Sequence, residues 1–144
     1  GVIQINFYPV FLSDKFAKEL AASGLDDKAD AVEEEFIKDP GNPDKYKSWV
    51  EVQKELASLD RPSYKVVVDH IDHAVRVAGI DHVGIGSDFD GINVTPEGLE
   101  DVSKIGVVFE EMRARGYSER DIEKVAGGNF IRVMNRVKEV AESL

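Results

Sequence analysis

Only two runs in this sequence carry the two-residue alternation of a β-strand, and the whole of residues 9–81 separates them. The first is VIQINFY, residues 2–8, which sets Ile3, Ile5 and Phe7 against Gln4, Asn6 and Tyr8. The second is HVGIGSD, residues 82–88, which sets Val83, Ile85 and Ser87 against His82, Gly84, Gly86 and Asp88. Strands that alternate with helical segments indicate βα units and a parallel sheet. Two strands cannot build such a sheet with both faces covered, and a (β/α)8 barrel takes about 250 residues, against 144 here. The chain therefore reads as α/β and as part of something larger. Gly1 lies directly on a strand with no initiating Met, so the amino end is expected to be a cut.

Between and after the strands the periodicity is helical. Residues 13–60 divide into SDKFAKELAAS, DDKADAVEEEFIKD and, after the turn-forming DPGNP, PDKYKSWVEVQKELASL. Tyr46, Trp49, Val50, Gln53 and Leu56 fall on one face of the last piece, a packing stripe rather than a ligand cage. RPSYKVVVDHIDHAVRVAGI predicts a helix opened by Ser63 and closed by Gly79. A further helix is expected from Thr95-Pro96-Glu97, with Val102, Ile105, Phe109 and Met112 on its apolar side. Ser118 and Asp121 resemble a capping box, Gly127-Gly128 should end that short helix, and Asn129 should cap the last one through Phe130, Val133, Val137 and Val140. Residues 1–144 thus form one segment, with a helical excursion over 13–60 and carboxyl-terminal helices over 95–144.

Charge and composition exclude several functions. Eighteen basic against twenty-eight acidic side chains leave a net charge of -10, a field that repels phosphate backbones and anionic lipid. No apolar run reaches the roughly 20 residues of a membrane span and no cleavable leader is visible, which leaves compartment, and any leader upstream, undetermined. There are no cysteines, so a metal would have to be held by His, Asp or Glu.

The candidate chemistry lies in HVGIGSDFDG. In a barrel, the Val/Ile side of this strand faces the helices and the glycine side faces the crowded axis, which brings Asp88 to the carboxyl end where barrel enzymes place reactive groups. An acid at a strand end can equally cap the following helix, and both readings stay open on the residues alone. Asp90, in the turn, is expected to cap backbone amides. Of the three inward residues on the first strand Tyr8 stands nearest the mouth, as a substrate contact or as a packed ring with its hydroxyl bonded at the surface. His70 and His73 are spaced to chelate, yet His73 lies on the solvated side of its helix. His82 is about 20 Å from Asp88 along the strand and is expected to be a buried, hydrogen-bonded residue. DFDGIN lacks the spacing of a calcium loop and GIGSDFDG that of a dinucleotide fingerprint.

DHIDHAVRVAGIDHVGIGSDFDG resembles the signature of the membrane (renal) dipeptidase family, the M19 metallopeptidases of the amidohydrolase superfamily. GVIQINFYPVFLS resembles that family's penultimate barrel strand, and GLEDVSKI with RGYSERDIEKVAGGNFIRV resembles its carboxyl-terminal helices. The resemblance implies the carboxyl-terminal portion of a metal-dependent-hydrolase (β/α)8 TIM barrel, mostly helical with two readable strands. It implies hydrolysis of dipeptides, often with a D-residue tolerated at the carboxyl-terminal position. It also implies two zinc ions whose ligands, an early His-x-Asp, a bridging Glu and two later histidines, all lie upstream of this chain. Asp88 then accepts the proton of the attacking water and passes it to the leaving amine, or binds the substrate's amino group, and Tyr8 contacts substrate. No metal ligand is expected within residues 1–144. The chain alone should be inactive, with the missing amino-terminal part of the enzyme and a dipeptide as its partners and a homodimer left open. The alternative is a non-catalytic acidic helical interaction module, suggested by the short helices around a glycine turn in RGYSERDIEKVAGGNFIRVM.

Overall fold

Strand β1 covers Ile3–Asn6 and β2 covers Val83–Ser87, and they pair in parallel as a two-stranded sheet. In this computed structural model, which describes residues 1–143, the alternation in both runs produces strands shorter than expected by a few residues at their ends. Pro9 stops β1 by opening a single helical turn, α1 (Pro9–Leu12), where its missing N–H costs nothing.

The excursion forms three helices, with the DPGNP turn between the second and the third as expected. α2 (Asp14–Ser23) is capped by Ser13, whose hydroxyl accepts the Phe16 N–H, and it ends at Gly24 with φ 65°. α3 (Leu25–Lys38) follows directly, and α4 (Pro43–Ala57) is capped by Asn42, which accepts from the amides of Asp44 and Lys45. The buried stripe of α4 is rotated from the expected one. Val52 and Leu56 carry it, while Tyr46 is 53 % exposed and stacks on Trp49 against Phe36. Val52 and Leu56 join Phe16, Leu20, Ala29 and Val94 in a small core of their own.

α5 (Lys65–Ala78) places Val67, Val68, Ile71 and Ala74 against the sheet and ends at Gly79, φ 89°. The cap position is Tyr64, one residue after the expected Ser63, whose hydroxyl accepts the Lys65 N–H at 3.4 Å. The backbone around Ser63 also pairs with Glu97: Glu97 N–H donates to Pro62 O and Tyr64 N–H to Glu97 O, both at 2.9 Å. This pairing also cancels the helix expected at Thr95, because Glu97 is bridged to Ser63 and the chain then turns at Gly98, φ 84°, with Leu99 N–H donating to Pro96 O at 3.1 Å. A short 3₁₀ turn at Val102–Lys104 comes first, and α6 begins at Gly106 and ends at Ala114. Val102 is consequently exposed, and Val108 with Met112 fills the main core beside Phe7, Val83, Leu99 and Val125.

α7 (Glu119–Glu123) has the anticipated Ser118 cap. Gly127-Gly128 interrupts the helical path as expected, because Gly127, at φ 165° and ψ -18°, is non-helical and kinks the chain. The turn at Lys124–Gly128 carries this kink, and α8 (Asn129–Glu142) starts after it. Asn129 is no cap: its side chain is buried, and its amide donates to Ile80 O at 2.7 Å and Val83 O at 2.9 Å, tying the start of α8 to the start of β2. Along α8, Phe130, Ile131, Met134, Val137 and Val140 stay exposed, so its apolar stripe has no partner among the described residues. No helix among these residues is long and apolar enough to cross a membrane.

Candidate functional site

The glycines of β2 make room for β1. Gly84 and Gly86 lie under Gln4, and a Cβ at Gly84 would collide with the Gln4 side-chain oxygen while one at Gly86 would stand 3.1 Å from Ile5 O. The ladder runs Ile3 to Val83, Gln4 to Gly84 and Ile5 to Ile85, and then slips so that Asn6 faces Ser87. Gly86 is the extra residue of a bulge, a feature that re-aims the side chains following it. Phe7 N–H still donates to Ser87 O at 2.8 Å, closing the pair of strands.

Beyond the bulge the backbone is strained. Ser87 has φ 50° and Asp88 φ 101°, a region that favours glycine. Residues with a Cβ remain there only when their surroundings over-determine them, and such residues cluster at functional sites. The surroundings here are specific. Asn6 Nδ2 donates to Asp88 Oδ2 at 2.8 Å, Gly91 N–H donates to Asp88 O at 3.0 Å, and the ring of Phe89 meets Phe7 edge-on at 5.7 Å between centroids. That ring explains the pattern SDFDG: Phe89 anchors the turn in the main core, which turns the carboxylates on either side of it away from that core. Asp88 and Asp90 line an open hollow of about 680 Å³, walled on its other side by Glu100, Asp101 and Val102.

Asn6 also links this hollow to Tyr8, because its Oδ1 accepts the Tyr8 N–H at 2.7 Å. The Tyr8 side chain points elsewhere. Its hydroxyl donates to Asp26 Oδ2 at 2.8 Å and its ring packs edge-on against Phe11. Burial, and then the Asp26 carboxylate, push the phenol well above its ordinary range. Tyr8 borders a second hollow with Val10, Leu20 and Asp26, so Asp88 and Tyr8 are joined through Asn6 without sharing one cavity. Asn93, on the segment after β2, donates to Asp30 at 2.6 Å and to Asp26 at 3.4 Å, and neighbouring Val94 is buried in the core of the excursion.

The histidines lie away from this region. His70 Nε2 is 3.4 Å from Leu12 O, and His73 is exposed. His82 is hydrogen-bonded through Nδ1 to Gly1 O at 2.9 Å but is exposed, where burial was expected. Among the described residues no group of three or more His, Cys, Asp or Glu could hold a metal ion. Sequence reasoning missed the Asn6 partner of Asp88. Its one signal was parity, since Asn6 shares a strand face with Gln4 and Tyr8.

Comparison with known proteins adds the following. The family model described as Membrane dipeptidase (Peptidase family M19) matches residues 1–144. Dipeptidase verJ of Clonostachys rogersoniana is 44% identical over 88 residues, which are 61% of this chain and 23% of that protein. Dipeptidase aclJ of Aspergillus oryzae is 47% identical over 85 residues, 59% of this chain and 20% of that protein. The crystal structure of the probable dipeptidase PvdM from Pseudomonas aeruginosa matches with a TM-score of 0.58 at 33% identity, over 92% of this chain and 36% of that one. The matched stretch is thus well under two thirds of each of these proteins.

Proposed function

Because this chain belongs to the membrane dipeptidase family, peptidase family M19, we propose that it supplies two adjacent strands, their flanking helices and one reactive acid to an enzyme that hydrolyses dipeptides. The observation that carries the proposal is Asp88: a carboxylate at the carboxyl end of β2, held at φ 101°, bonded through one oxygen to Asn6 and bordering an open hollow. Its Oδ1 receives no hydrogen bond from a described residue and is the oxygen free to accept a proton.

The same reading makes β1 and β2 neighbouring strands of a (β/α)8 barrel. Their parallel pairing through a helical crossover supports it, as does the glycine face that lets Gln4 lie over β2. Residues 13–60 form the rim of the pocket in this account. The support is that Asn93 and Val94, from the segment that leaves Asp88, are bound to α3 and to the excursion core. The exposed stripe of α8 is the one feature that favours a non-catalytic interaction module, and packing within a larger barrel accounts for it equally well.

The two zinc ions implied by the family resemblance find no ligand set in the described residues. The chemistry assigned to this chain is therefore that of its own side chains. As water oxygen adds to the peptide carbonyl carbon, Asp88 takes up the water's proton and delivers it to the amine nitrogen as the C–N bond breaks. The same carboxylate is suited to hold the substrate's ammonium group before reaction. Tyr8, its hydroxyl engaged by Asp26 and its ring beside the second hollow, stands outside the Asp88 hollow and is assigned no contact with the reacting atoms.

Dipeptide hydrolysis and metal content, measured on residues 1–144 alone and on the same residues joined to the remaining length of a family member, test the proposal. Turnover and bound metal are expected only in the joined protein. Stoichiometric metal with turnover by residues 1–144 alone would contradict the division of ligands, and a joined, folded protein that leaves dipeptides intact would contradict the function.

A further inference from the structure

Asn6 is held at both ends of its side-chain amide. Oδ1 accepts the Tyr8 N–H at 2.7 Å, and Nδ2 donates to Asp88 Oδ2 at 2.8 Å. The first bond decides the second. Turned over, the amide would set N–H against N–H at Tyr8 and oxygen against oxygen at Asp88. The chain leaving β1 therefore aims a donor at a carboxylate 82 residues away in sequence. On the other side of that carboxylate, a Cβ on Gly91 would stand 2.5 Å from Asp88 Oδ1, closer than side-chain carbons approach. Gly91 carries no positive φ, so the need for glycine there is the room it leaves for this oxygen.

Resting on the reading of Asp88 as the proton acceptor, we propose that Asn6 is a positioning residue for Asp88, with Gly91 as the space that admits the second carboxylate oxygen. An amide suits this task better than a cation. Arg or Lys in place of Asn6 would orient the carboxylate but pair its charge and weaken it as a base. The neutral amide occupies one oxygen and leaves the other without a donor among the described residues. Asn6 touches no substrate in this arrangement. It acts through Asp88 by fixing the distance and angle on which proton transfer depends.

The test is steady-state kinetics in the full-length, active enzyme with three variants. Asn6→Asp keeps the shape of the side chain and an acceptor for the Tyr8 N–H, but has no donor for Asp88. Asn6→Leu removes the donor without adding charge. Gly91→Ala presses on Asp88 Oδ1 and leaves Asn6 in place. Each is expected to lower kcat by about 10–100-fold while KM stays within about threefold, the cost of a misplaced reacting group. A purely structural role at the Tyr8 turn would spare Asn6→Asp, so a folded Asn6→Asp enzyme with wild-type kcat overturns the inference. So does Asn6→Leu with a raised KM and an unchanged kcat, which would mark a binding wall. Asp88→Asn is the control: wild-type kcat there overturns the role of Asp88 and this inference together, whereas a slow Asp88→Asn beside a fast Asn6→Asp overturns this inference alone.

Discussion

Replacing Asn129 by Asp should destabilise the fold even though the two side chains have nearly the same shape. Asn129 is 2 % exposed, and its single NH₂ group serves two carbonyls, Ile80 O at 2.7 Å and Val83 O at 2.9 Å. A carboxylate cannot donate to either of them. It would instead set acceptor against acceptor in a site where water does not substitute. Leaving a buried polar group unpaired costs about 1–3 kcal/mol. With one of the two bonds fully buried and the other partly so, the loss comes to about 2–4 kcal/mol. For a chain of 144 residues each kcal/mol lowers Tm by about 3–4 °C, between the values for smaller and larger domains, so Tm should fall by roughly 6–16 °C.

Urea unfolding of wild type, Asn129→Asp and Asn129→Leu, followed by far-UV circular dichroism, measures this. Both variants should lose stability at neutral pH with little change in m-value. Asn129→Asp should recover part of the loss on acidification, when a protonated carboxyl regains one donor. Wild-type stability of Asn129→Asp at neutral pH would refute the reasoning, because the tether between α8 and β2 would then contribute nothing.

Two further outcomes follow from the contact between α5 and α6. Arg115 donates to Glu111, Asp69 and Asp72 at 2.6–2.9 Å. Burial alone would weaken its charge, but these bonds outweigh burial and hold the guanidinium protonated beyond its usual range. Arg115→Met leaves three acids facing one another and should cost about 1–3 kcal/mol, a deficit that shrinks in high salt as their repulsion is screened; loss below 0.5 kcal/mol on the order of a surface pair would count against the network. Tyr117 donates to Asp72 at 2.7 Å, and its phenol is pushed up to about 12 by burial and by that carboxylate. The folded state thus favours the neutral phenol, a contribution fully present below the ordinary value near 10 and lost as pH rises through 12. The stability difference between wild type and Tyr117→Phe should therefore narrow over that alkaline window; a constant difference would contradict the shift.

Much of the architecture was legible because it rests on local rules. Alternation marked both strands, Ser118 caps its short helix where its side chain reaches the first free amides, and Gly79 ends α5 with a positive φ. What failed depended on partners far away in sequence. Thr95-Pro96-Glu97 has the composition of a helix start, yet Glu97 pairs with the backbone of Pro62 and Tyr64. Asn129 has the composition of a cap, yet it finds two buried carbonyls at the start of β2. At the site, parity placed Asp88 at the carboxyl end of β2, where it lies, but could not foresee the bulge at Gly86, the φ of 101° or the bond from Asn6. Tyr8 was read on the same face, and its hydroxyl turned instead to Asp26 on a helix that periodicity alone could not dock.

The role of Asp88 is tested most directly by kcat for dipeptide hydrolysis in Asp88→Asn beside Asp90→Asn, in the full-length enzyme. Asn keeps the size of Asp88 but not its basicity, so kcat should fall by roughly 10²–10⁴ with fold and metal content unchanged, while Asp90→Asn, exposed in the turn, stays within a few-fold of wild type. A near-normal kcat for Asp88→Asn, or a rate loss carried by Asp90 in its place, would contradict the account.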